Sequence, residues 1–583
     1  MHTLIKDLEE KLKAALLSAY PELKKAQEEL QVEVVQSTLE KFGDYQCNTP
    51  MKLAKKLKEG PRQIAESITK HLEQKPEIQK IEIAGPGFIN ITIDKDFISK
   101  KTQEIFDSPR LGIETPQRKQ KIIVEFSSPN VAKELHVGHL RSTIIGDCLA
   151  RIFEFLGEDV LRLNHIGDWG TAFGMLIAYL KKEHPQIFNG EKETDLAELV
   201  EWYKKSKFCF DNDPEFKKAS QLEVVRLQRG DAESLKAWNI ICDISRKAYG
   251  EIYDLLGVKL KERGESYYNP MLPSLIEDLE KKGLIEISDG AKCVFLPEFK
   301  NREGTPMPLM LQKSDGGFGY DSTDMAAMKQ RVDKEKAERI IIVTDAGQAR
   351  HFELIYAASV RANYLDPKKV RFDHVPFGLV LGPDGKKFRT RAGDTERLAD
   401  LLYNAITKAG QIMEERNPEM PENEKKAISK ALGIGAVKYA DLSCHRTGDY
   451  TFSYERMLRF DGNTAAFLMY AYVRIAGIKR KIGISIDEIQ KNHTISLKHP
   501  SEIALGMHLI RFNEALNQVA LDLLPNRLTD YLYNLAEKFN AFYRDCQVDG
   551  AEEIHSRLLL CEVTARTLRQ GLHLVGVETV EKM

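Results

Sequence analysis

The sequence predicts a multidomain α/β protein whose central domain contains a doubly wound parallel sheet. Segments that read as buried strands occur at Lys121–Phe126, Asp159–Asn164 and Arg339–Thr344, and each leads into a polar or glycine-containing loop. From Thr395 onward the chain has helical spacing almost throughout. With 583 residues, of which 42% are hydrophobic and 30% charged, the chain is long enough for several hydrophobic cores.

The first of these strands opens the most informative stretch of the chain. Turn-forming residues follow it at 127–130, and apolar residues then recur at helical spacing from Ala132 to Ala150. A strand, a loop and a helix in this order direct the positive end of the helix dipole towards a ligand. We therefore expect a binding site at this turn.

Two histidines mark the start of that helix. His136 and His139 are three residues apart, so their rings can share one face, and Gly138 between them lets a flat ring approach the backbone. Imidazoles can hydrogen-bond phosphate oxygens, and the helix end adds its partial charge. The pattern favours a nucleoside triphosphate as the ligand.

Composition excludes several other classes of protein. The chain has 85 basic and 87 acidic residues, so any contact with nucleic acid must use local patches. No apolar run is long enough to span a membrane, and the amphipathic start has no signal-peptide core, so we expect a cytoplasmic protein. The 8 cysteines contain no C-x-x-C pair, which indicates reduced thiols and no metal site.

The N-terminal residues 1–110 predict a separate α/β module. Helical patterns cover Leu4–Ala19 and Met51–Leu72, and Lys80–Ile93 alternates like a strand pair interrupted at 85–87. The central domain is expected at 111–395.

The central domain carries an insertion at about 175–300. Its first part, from about Met175 to Glu262, is helical and charged, and two strand-like segments follow at 283–288 and 292–299. The last strand of the central domain is predicted at 375–382. The C-terminal helices are predicted at 426–443, 461–481, 536–548 and 555–577.

The string from Ser127 to Asp147, SSPNVAKELHVGHLRSTIIGD, resembles the signature of the arginyl-tRNA synthetases, which are class I aminoacyl-tRNA synthetases. The resemblance extends over nearly the whole chain, from GDYQCN at residue 43 to the closing GVETVEKM. It implies a Rossmann-like catalytic domain, an N-terminal additional domain that contacts the D-arm of tRNA, a helical stem-contact region at 396–460 and an all-α anticodon-binding domain at 461–583. It also implies an ATP-dependent arginine–tRNA ligase.

That reaction has two steps, formation of arginyl-adenylate and pyrophosphate, then transfer of arginine to the 3′ end of tRNA(Arg). Neither step needs a covalent enzyme intermediate, so catalysis should come from positioning and from stabilising charge on the phosphates. The resemblance implies catalytic roles for Lys133, His136, His139, Lys387 and Arg389, and ATP contacts for Lys133, His136, Gly138, His139, Lys386 and Lys387.

The lysine loop at 386–391 departs from the K-M-S-K-S pattern of class I enzymes. Arg389 occupies the position where some relatives have the second lysine, and a guanidinium binds as a planar fork and not as a point charge. Lys133 lies where family members with a degenerate loop place a substitute ammonium. The alternative interpretation of Lys133 is a solvated helix lysine.

Arginine needs a carboxylate that can accept its guanidinium and a neutral partner that orients it. Tyr320 and Asp324, four residues apart on one predicted helix, provide both. By resemblance, the arginine-binding residues are Glu125, Ser128, Asn130, His139, Glu265, Tyr320, Asp324 and Gln348. Glu125 corresponds to a contact for the α-ammonium group.

The resemblance also implies tRNA contacts at Phe88 and Asn90 in the N-terminal module and at Tyr470, Arg474 and Tyr543 in the C-terminal domain. Aromatic rings and guanidinium groups stack on unpaired bases. In the alternative interpretation Phe88 is a core residue, Asn90 is a turn residue, and the tyrosines pack within a helical bundle.

Two other functions compete with arginine ligation. A different H-x-G-H nucleotidyl-transfer enzyme should lack the Tyr320 and Asp324 pair, and a tRNA-binding paralogue without catalysis should show damage at the histidines or at Asp324; the sequence shows neither. The expected substrates are ATP, L-arginine and tRNA(Arg), with Mg²⁺ held by the phosphates and no dedicated protein ligands. We expect a monomer without a membrane partner.

Overall fold

The computed structural model describes residues 3–26, 30–72, 76–188, 192–301, 303–388 and 396–583. Within these ranges the chain forms an N-terminal α/β module, a central parallel sheet with a large insertion, and a C-terminal set of helices. The predicted fold class is confirmed.

The N-terminal module is a four-stranded antiparallel sheet covered by helices, with the strands in the order β1-β2-β4-β3. The elements are helices Leu4–Ala19 (α1), Thr49–Leu57 (α2), Pro61–His71 (α3) and Lys95–Asp107 (α4), and strands Val34–Gln36 (β1), Tyr45–Cys47 (β2), Ile78–Ala84 (β3) and Phe88–Ile93 (β4).

Helix α1 has the bounds that its apolar spacing predicts. Thr3 caps its start, because the hydroxyl accepts from the Lys6 amide at 3.3 Å, and Leu8, Leu12 and Leu16 recur every fourth residue and are buried. The single helix predicted over Met51–Leu72 is wrong.

Two helices occupy that stretch, because α2 ends where Lys58 turns into the left-handed region (φ 56°) and Pro61 begins α3. Proline has no N–H for a helix interior but is well suited to a first turn.

The central domain follows the predicted order of elements. Its strands are Lys121–Glu125 (β5), Asp159–Asn164 (β6), Lys261–Glu262 (β7), Glu286–Ser288 (β8), Ala291–Lys300 (β9), Pro306–Gln312 (β10), Arg339–Asp345 (β11), Arg371–Phe377 (β12) and Val380–Leu381 (β13). Its helices are Val137–Phe155 (α5), Thr171–Glu183 (α6), Leu196–Asn212 (α7), Pro214–Gln228 (α8), Ala232–Leu256 (α9), Glu265–Tyr268 (α10), Leu272–Lys281 (α11), Tyr320–Asp333 (α12) and Ala349–Arg361 (α13).

The five strands of the central sheet are all parallel and lie in the order β12-β11-β5-β6-β7. From β5 the chain moves first to one side, through β6 and β7, and later to the other side, through β11 and β12. The order therefore reverses between β5 and β11. Ligands of open α/β sheets bind at this switch point, beyond the carboxyl ends of the strands.

Helix α5 starts later than predicted, at Val137 and not at Ala132. Ser127, Ser128 and Ala132 all have positive φ (70°, 47° and 58°), so the loop cannot continue as a helix until His136 caps it. The loop between β5 and α5, at the switch point, is therefore longer than the sequence predicted.

Two strand predictions in this domain also need correction. A third strand, β10, follows the predicted insertion and pairs with β9 in a small antiparallel sheet. The strand predicted at 375–382 is two strands, β12 and β13, separated at Gly378 and Leu379.

The C-terminal part is helical apart from a short strand, Tyr450–Thr451 (β14), which pairs in parallel with β13. Its helices are Leu398–Arg416 (α14), Glu422–Leu442 (α15), Tyr454–Met457 (α16), Ala465–Ile482 (α17), Ile486–Ile489 (α18), Pro500–Ile510 (α19), Phe512–Asp522 (α20), Asn526–Asp545 (α21) and Ile554–Leu574 (α22). No helix in the described part of the chain is long and apolar enough to cross a membrane.

The C-terminal helices contact both other parts of the molecule. Glu514 on α20 accepts from the Tyr45 hydroxyl at 2.8 Å and from Gln36 Nε2 at 2.8 Å, which ties the N-terminal module to the bundle. On the catalytic side, Arg141 of α5 forms a fully buried ion pair with Asp441 of α15, at 3.1 Å. Arg141 also donates to the carbonyl of Gly378 at 2.8 Å, between β12 and β13.

Candidate active site

A cavity of about 960 Å³ opens at the carboxyl ends of β5 and β11, at the switch point of the sheet. Most of the residues predicted to bind ATP or arginine line it. They are Glu125, Ser128, Asn130, His136, Gly138, His139, Glu265, Tyr320, Asp324, Gln348 and Lys387. Residues from five separate segments of the chain thus meet at one place.

The two histidines form the cap of α5. His136 Nδ1 accepts from the Gly138 amide at 3.1 Å, and His139 Nδ1 accepts from the His136 amide at 3.1 Å. An imidazole that accepts at Nδ1 carries its hydrogen on Nε2. The ring centroids are 4.1 Å apart, so two Nε2–H donors lie side by side at the helix N-terminus.

Both rings are neutral near pH 7. Burial, then the positive charges of Lys387 and Lys133, lower the pKa of His136. Burial, then the neighbouring His136 and Lys133, lower the pKa of His139 to about 3. The rings therefore act as neutral hydrogen-bond donors, and positive charge must come from the helix end and from lysines.

Gly138 makes this close arrangement feasible. A Cβ atom at that position would lie 2.9 Å from His136 Cε1, so any side chain would push the ring away. The glycine predicted from the H-x-G-H pattern is thus required by the cap itself.

The lysine loop approaches from the other side of the cavity. Leu381 pairs with Lys387, and the Phe388 amide donates to the Val380 carbonyl at 3.0 Å, which forms a short hairpin after β13. Lys387 lines the cavity, whereas Lys386 does not. Arg389 lies outside the described residues.

Lys133 is exposed and lies outside the cavity lining, with its ammonium 5.8 Å from the centroid of the Tyr203 ring. Its charge nevertheless contributes to the lowered pKa of both signature histidines. Lys133 is therefore close enough to influence the paired histidines electrostatically, although it does not line the cavity in this conformation.

An acidic group forms the opposite wall. Asp324 Oδ2 accepts from His351 Nε2 at 2.6 Å, and Asp324 Oδ1 lies 4.0 Å from His165 Nε2. Burial alone would raise the pKa of Asp324, but the His351 hydrogen bond and the nearby positive charges hold it below its ordinary value. Tyr320, one turn earlier on α12, is 65% exposed at the rim.

A second carboxyl group, Glu265, lies beside this wall. Burial, then the negative charges of Asp324 and Asp168, raise its pKa to about 8. Glu265 is thus mostly protonated near pH 7 until a cation arrives. An entering guanidinium would favour its ionised form.

Glu125 is less available than the sequence suggested. It is buried at the end of β5, and its Oε2 already accepts from Nη2 of the buried Arg331. Glu125 could therefore accept from an α-ammonium group only through the hydrogen-bonding positions that Arg331 leaves unused.

Sequence reasoning missed three residues of this site, His165, Arg331 and His351. His165 follows β6 directly and His351 lies in the first turn of α13, the helix after β11, so both stand beyond strand ends of the central sheet. Their position beyond the ends of predicted strands could have identified both histidines as candidate site residues. Among the described residues no cluster of three or more His, Cys, Asp or Glu side chains could hold a metal ion.

Comparison with known proteins gives the family. The model for "tRNA synthetases class I (R), catalytic domain" matches residues 102–454, the "Arginyl tRNA synthetase N terminal domain" matches 4–93, and the "DALR anticodon binding domain" matches 468–583. The chain belongs to the arginyl-tRNA synthetase family.

Individual relatives agree with this assignment. An arginine–tRNA ligase of Protochlamydia amoebophila (strain UWE25) is 60% identical over 100% of both chains, and one of Chlamydia caviae is 50% identical over 100% of both. The crystal structure of arginyl-tRNA synthetase from Plasmodium falciparum superposes with a TM-score of 0.87 at 34% identity, over 100% of both chains. The Thermus thermophilus arginyl-tRNA synthetase gives 0.80 at 25% identity, also over 100% of both.

The three residues that the resemblance to the arginyl-tRNA synthetases singled out in the C-terminal helices lie together. The Arg474 guanidinium is 4.9 Å from the centroid of the Tyr470 ring and 5.2 Å from that of Tyr543, and it donates to Asn540 Oδ1 at 2.7 Å. The tyrosines are 41% and 47% exposed. This part of the family's anticodon-binding domain therefore presents two aromatic surfaces on either side of a cation.

The two N-terminal candidates differ from each other. Phe88 is half-buried, whereas Asn90 is 5% exposed within β4, and its Oδ1 accepts from Gln46 Nε2 at 2.8 Å. The alternative in which Asn90 is a turn residue is therefore wrong. A contact between Asn90 and a base would require the Gln46 partner to share it.

Proposed function

We propose that this chain is an arginine–tRNA ligase that activates L-arginine with ATP, releases pyrophosphate, and transfers arginine to the 3′ end of tRNA(Arg). One observation carries the proposal for the site. A carboxylate suited to a guanidinium, Asp324, lines the same cavity as the paired Nε2–H donors of His136 and His139. Family membership supports the same reaction.

ATP binds along the N-terminus of α5 in this proposal. The neutral histidines donate to oxygens of the triphosphate, and Gly138 lets the nucleotide lie against the backbone. Lys387, and Lys133 after a side-chain movement, supply the positive charge that the histidines lack. Lys386 and Arg389 belong to the same loop and complete the phosphate contacts.

Arginine binds across the cavity from the histidines. Asp324 accepts from its guanidinium and Tyr320 orients it, while Glu265 adds a second carboxylate once the cation displaces its proton. Ser128, Asn130, His139 and Gln348 contact the rest of the substrate, and Glu125 receives its α-ammonium group. The substrate carboxylate then faces the α-phosphate.

Catalysis in this arrangement is electrostatic. The arginine carboxylate attacks the α-phosphate and pyrophosphate leaves, so negative charge moves onto the phosphate oxygens, where the histidine N–H groups and the lysines stabilise it. Mg²⁺ bound with ATP would neutralise part of that charge, held by phosphate oxygens and water without a dedicated protein ligand. A terminal ribose hydroxyl of tRNA next attacks the adenylate carbonyl and releases AMP.

The remaining parts of the chain bind tRNA. We assign residues 1–110 to the D-arm, with Phe88 and Asn90 as contacts, 111–395 to catalysis, 396–460 to the tRNA stem and 461–583 to the anticodon. The Tyr470, Arg474 and Tyr543 group supports the last assignment, because exposed rings on a cation suit unpaired bases. We further propose a cytoplasmic monomer.

Pyrophosphate exchange with each amino acid, with and without total tRNA, tests the function. We expect exchange with arginine and with no other amino acid. The reaction run without tRNA shows whether activation depends on tRNA. Exchange with another amino acid in preference to arginine would contradict the proposal. So would a complete absence of arginylation of tRNA by folded protein that still binds ATP.

A further inference from the structure

We propose that His351 is a positioning residue for arginine, a built-in cation that lies between Asp321 and Asp324 and turns one oxygen of Asp324 towards the substrate. The inference rests on the proposed function, because it concerns the same pocket. None of the contacts assigned above to arginine involves His351.

The geometry favours a charged ring. His351 Nε2 lies 2.6 Å from Asp324 Oδ2, and Nδ1 lies 3.4 Å from Asp321 Oδ1. A neutral imidazole has one nitrogen without hydrogen, which here would face the lone pairs of a carboxylate. Only the imidazolium places a hydrogen on both nitrogens and satisfies both carboxylates.

The surroundings keep this cation in place. The Tyr320 ring meets His351 edge-on at 5.2 Å, and Phe352 lies 5.0 Å away. The side chain of His351 is 14% exposed, that of Asp321 15% and that of Asp324 18%, so water screens the three groups only partly.

Other titratable groups face this cluster from neighbouring elements, among them Cys293 of β9, whose thiol pKa is raised by burial and then by the charge of Asp321. His165, in the loop after β6, faces Asp324 Oδ1. His374 of β12 lies next to the Phe352 ring, and burial lowers its pKa to about 4, so its ring is neutral. Arg331 on α12 and Glu265 on α10 act on Asp324. On the helix of His351 itself, Arg350 and Glu353 pair with each other at 3.3 Å.

The pKa of His351 agrees with the geometry. Burial lowers it, but the hydrogen bonds to Asp321 and Asp324 and their charges prevail and raise it to about 9. A raised histidine pKa means that the contact is present below that value and is lost as pH rises through it. The ring is therefore charged near neutral pH.

Loss of this charge would disturb arginine binding in a specific way. Asp321 and Asp324 are three residues apart on one face of α12, so without a cation between them they repel each other. Asp324 would then rotate or take up a proton. With His351 charged, Oδ2 is fixed and Oδ1 stays available for the guanidinium.

The test compares wild-type protein with His351→Gln across pH, because glutamine can donate to Asp324 but cannot titrate. We expect kcat/KM for arginine in the variant to be about tenfold below wild type near pH 7, the size expected for a lost charged hydrogen bond. The ratio of kcat/KM in the variant to kcat/KM in wild type should approach one near pH 10. The α-ammonium group of arginine titrates equally in both proteins, so the ratio reports His351. KM for ATP should not change.

His374→Gln is the matched control, because it removes a nearby neutral histidine. Its effect, whatever its size, should not vary with pH over this range. A His351→Gln ratio that is constant with pH would mean a merely structural role and would overturn the proposal. Failure of wild-type protein to use arginine at all would instead refute the proposed function.

A second measurement covers the case in which His351→Gln does not fold. Histidine-labelled wild-type protein is titrated by NMR in the absence of substrate, with His374→Gln as an assignment aid. We expect one ring with the doubly protonated signature to persist to about pH 9. If every histidine ring is neutral near pH 8, the inference is wrong.

Discussion

Replacement of Asp324 by asparagine should nearly abolish the use of arginine while ATP still binds. The substitution keeps the shape of the side chain and removes one negative charge. The lost partner is an 18% exposed carboxylate, so the guanidinium would lose its direct acceptor while the cations His351 and Arg331 remain nearby. Removal of one member of such a charge pair costs about 2–5 kcal/mol.

We expect the upper part of this range because the remaining cations are close, and thus a decrease of roughly 1000-fold in kcat/KM for arginine. Steady-state aminoacylation gives this value, and equilibrium binding of ATP gives the reference. Asp345→Asn is the matched control, since Asp345 lines the same cavity but is exposed and caps a short turn through the Gly347 amide at 2.8 Å. An Asp324→Asn protein that keeps kcat/KM within about threefold of wild type would refute the assignment of the guanidinium site.

Two further predictions concern charge at the phosphates and contact with tRNA. Lys133→Ala should slow pyrophosphate exchange by roughly 10- to 1000-fold, as expected for a lost transition-state contact, with little change in KM for arginine; an unchanged rate would remove Lys133 from the mechanism. Tyr543→Ala should raise KM for tRNA by roughly 5- to 100-fold, because stacking on a base is worth about 1–3 kcal/mol, while KM for ATP stays constant. Phe208→Ala, which removes an exposed aromatic ring (69%) from α7 in the insertion, is its control. Equal effects of the two variants would argue against a specific anticodon contact at Tyr543.

The sequence predicts β5, β6 and β11 of the central sheet, whose apolar residues are largely buried, but it misses β7, which consists of two exposed residues. Continuous apolar residues define β5 and β11, and the regular spacing of leucines defines α1. Predictions failed where a single backbone feature decides the structure. The break between α2 and α3 depends on the turn at Lys58, and β10 was missed since Pro306 and Pro308 weaken its strand signal.

The candidate site was predictable to the extent that its residues form local patterns. The H-x-G-H cap lies within four residues, so its geometry follows from the sequence once the helix start is known. His351 and Arg331 have no such pattern. Their partners Asp324 and Glu125 are 27 and 206 residues away, and only the order of the strands brings them together.

The anchor formed by Arg141 means that the catalytic half of the molecule is not an independent unit. The Arg141 guanidinium, two residues beyond His139 at the start of α5, contacts two other parts of the chain. It donates to the Gly378 carbonyl, in the backbone that leads into the lysine loop, and it pairs with Asp441 of the C-terminal helices. Removing Asp441 alone would leave that guanidinium without its counter-ion in an apolar setting, at a cost of about 3–5 kcal/mol. Because whole domains are typically stable by only about 5–15 kcal/mol, the proposed boundary near residue 395 would separate functions without separating two independently stable units.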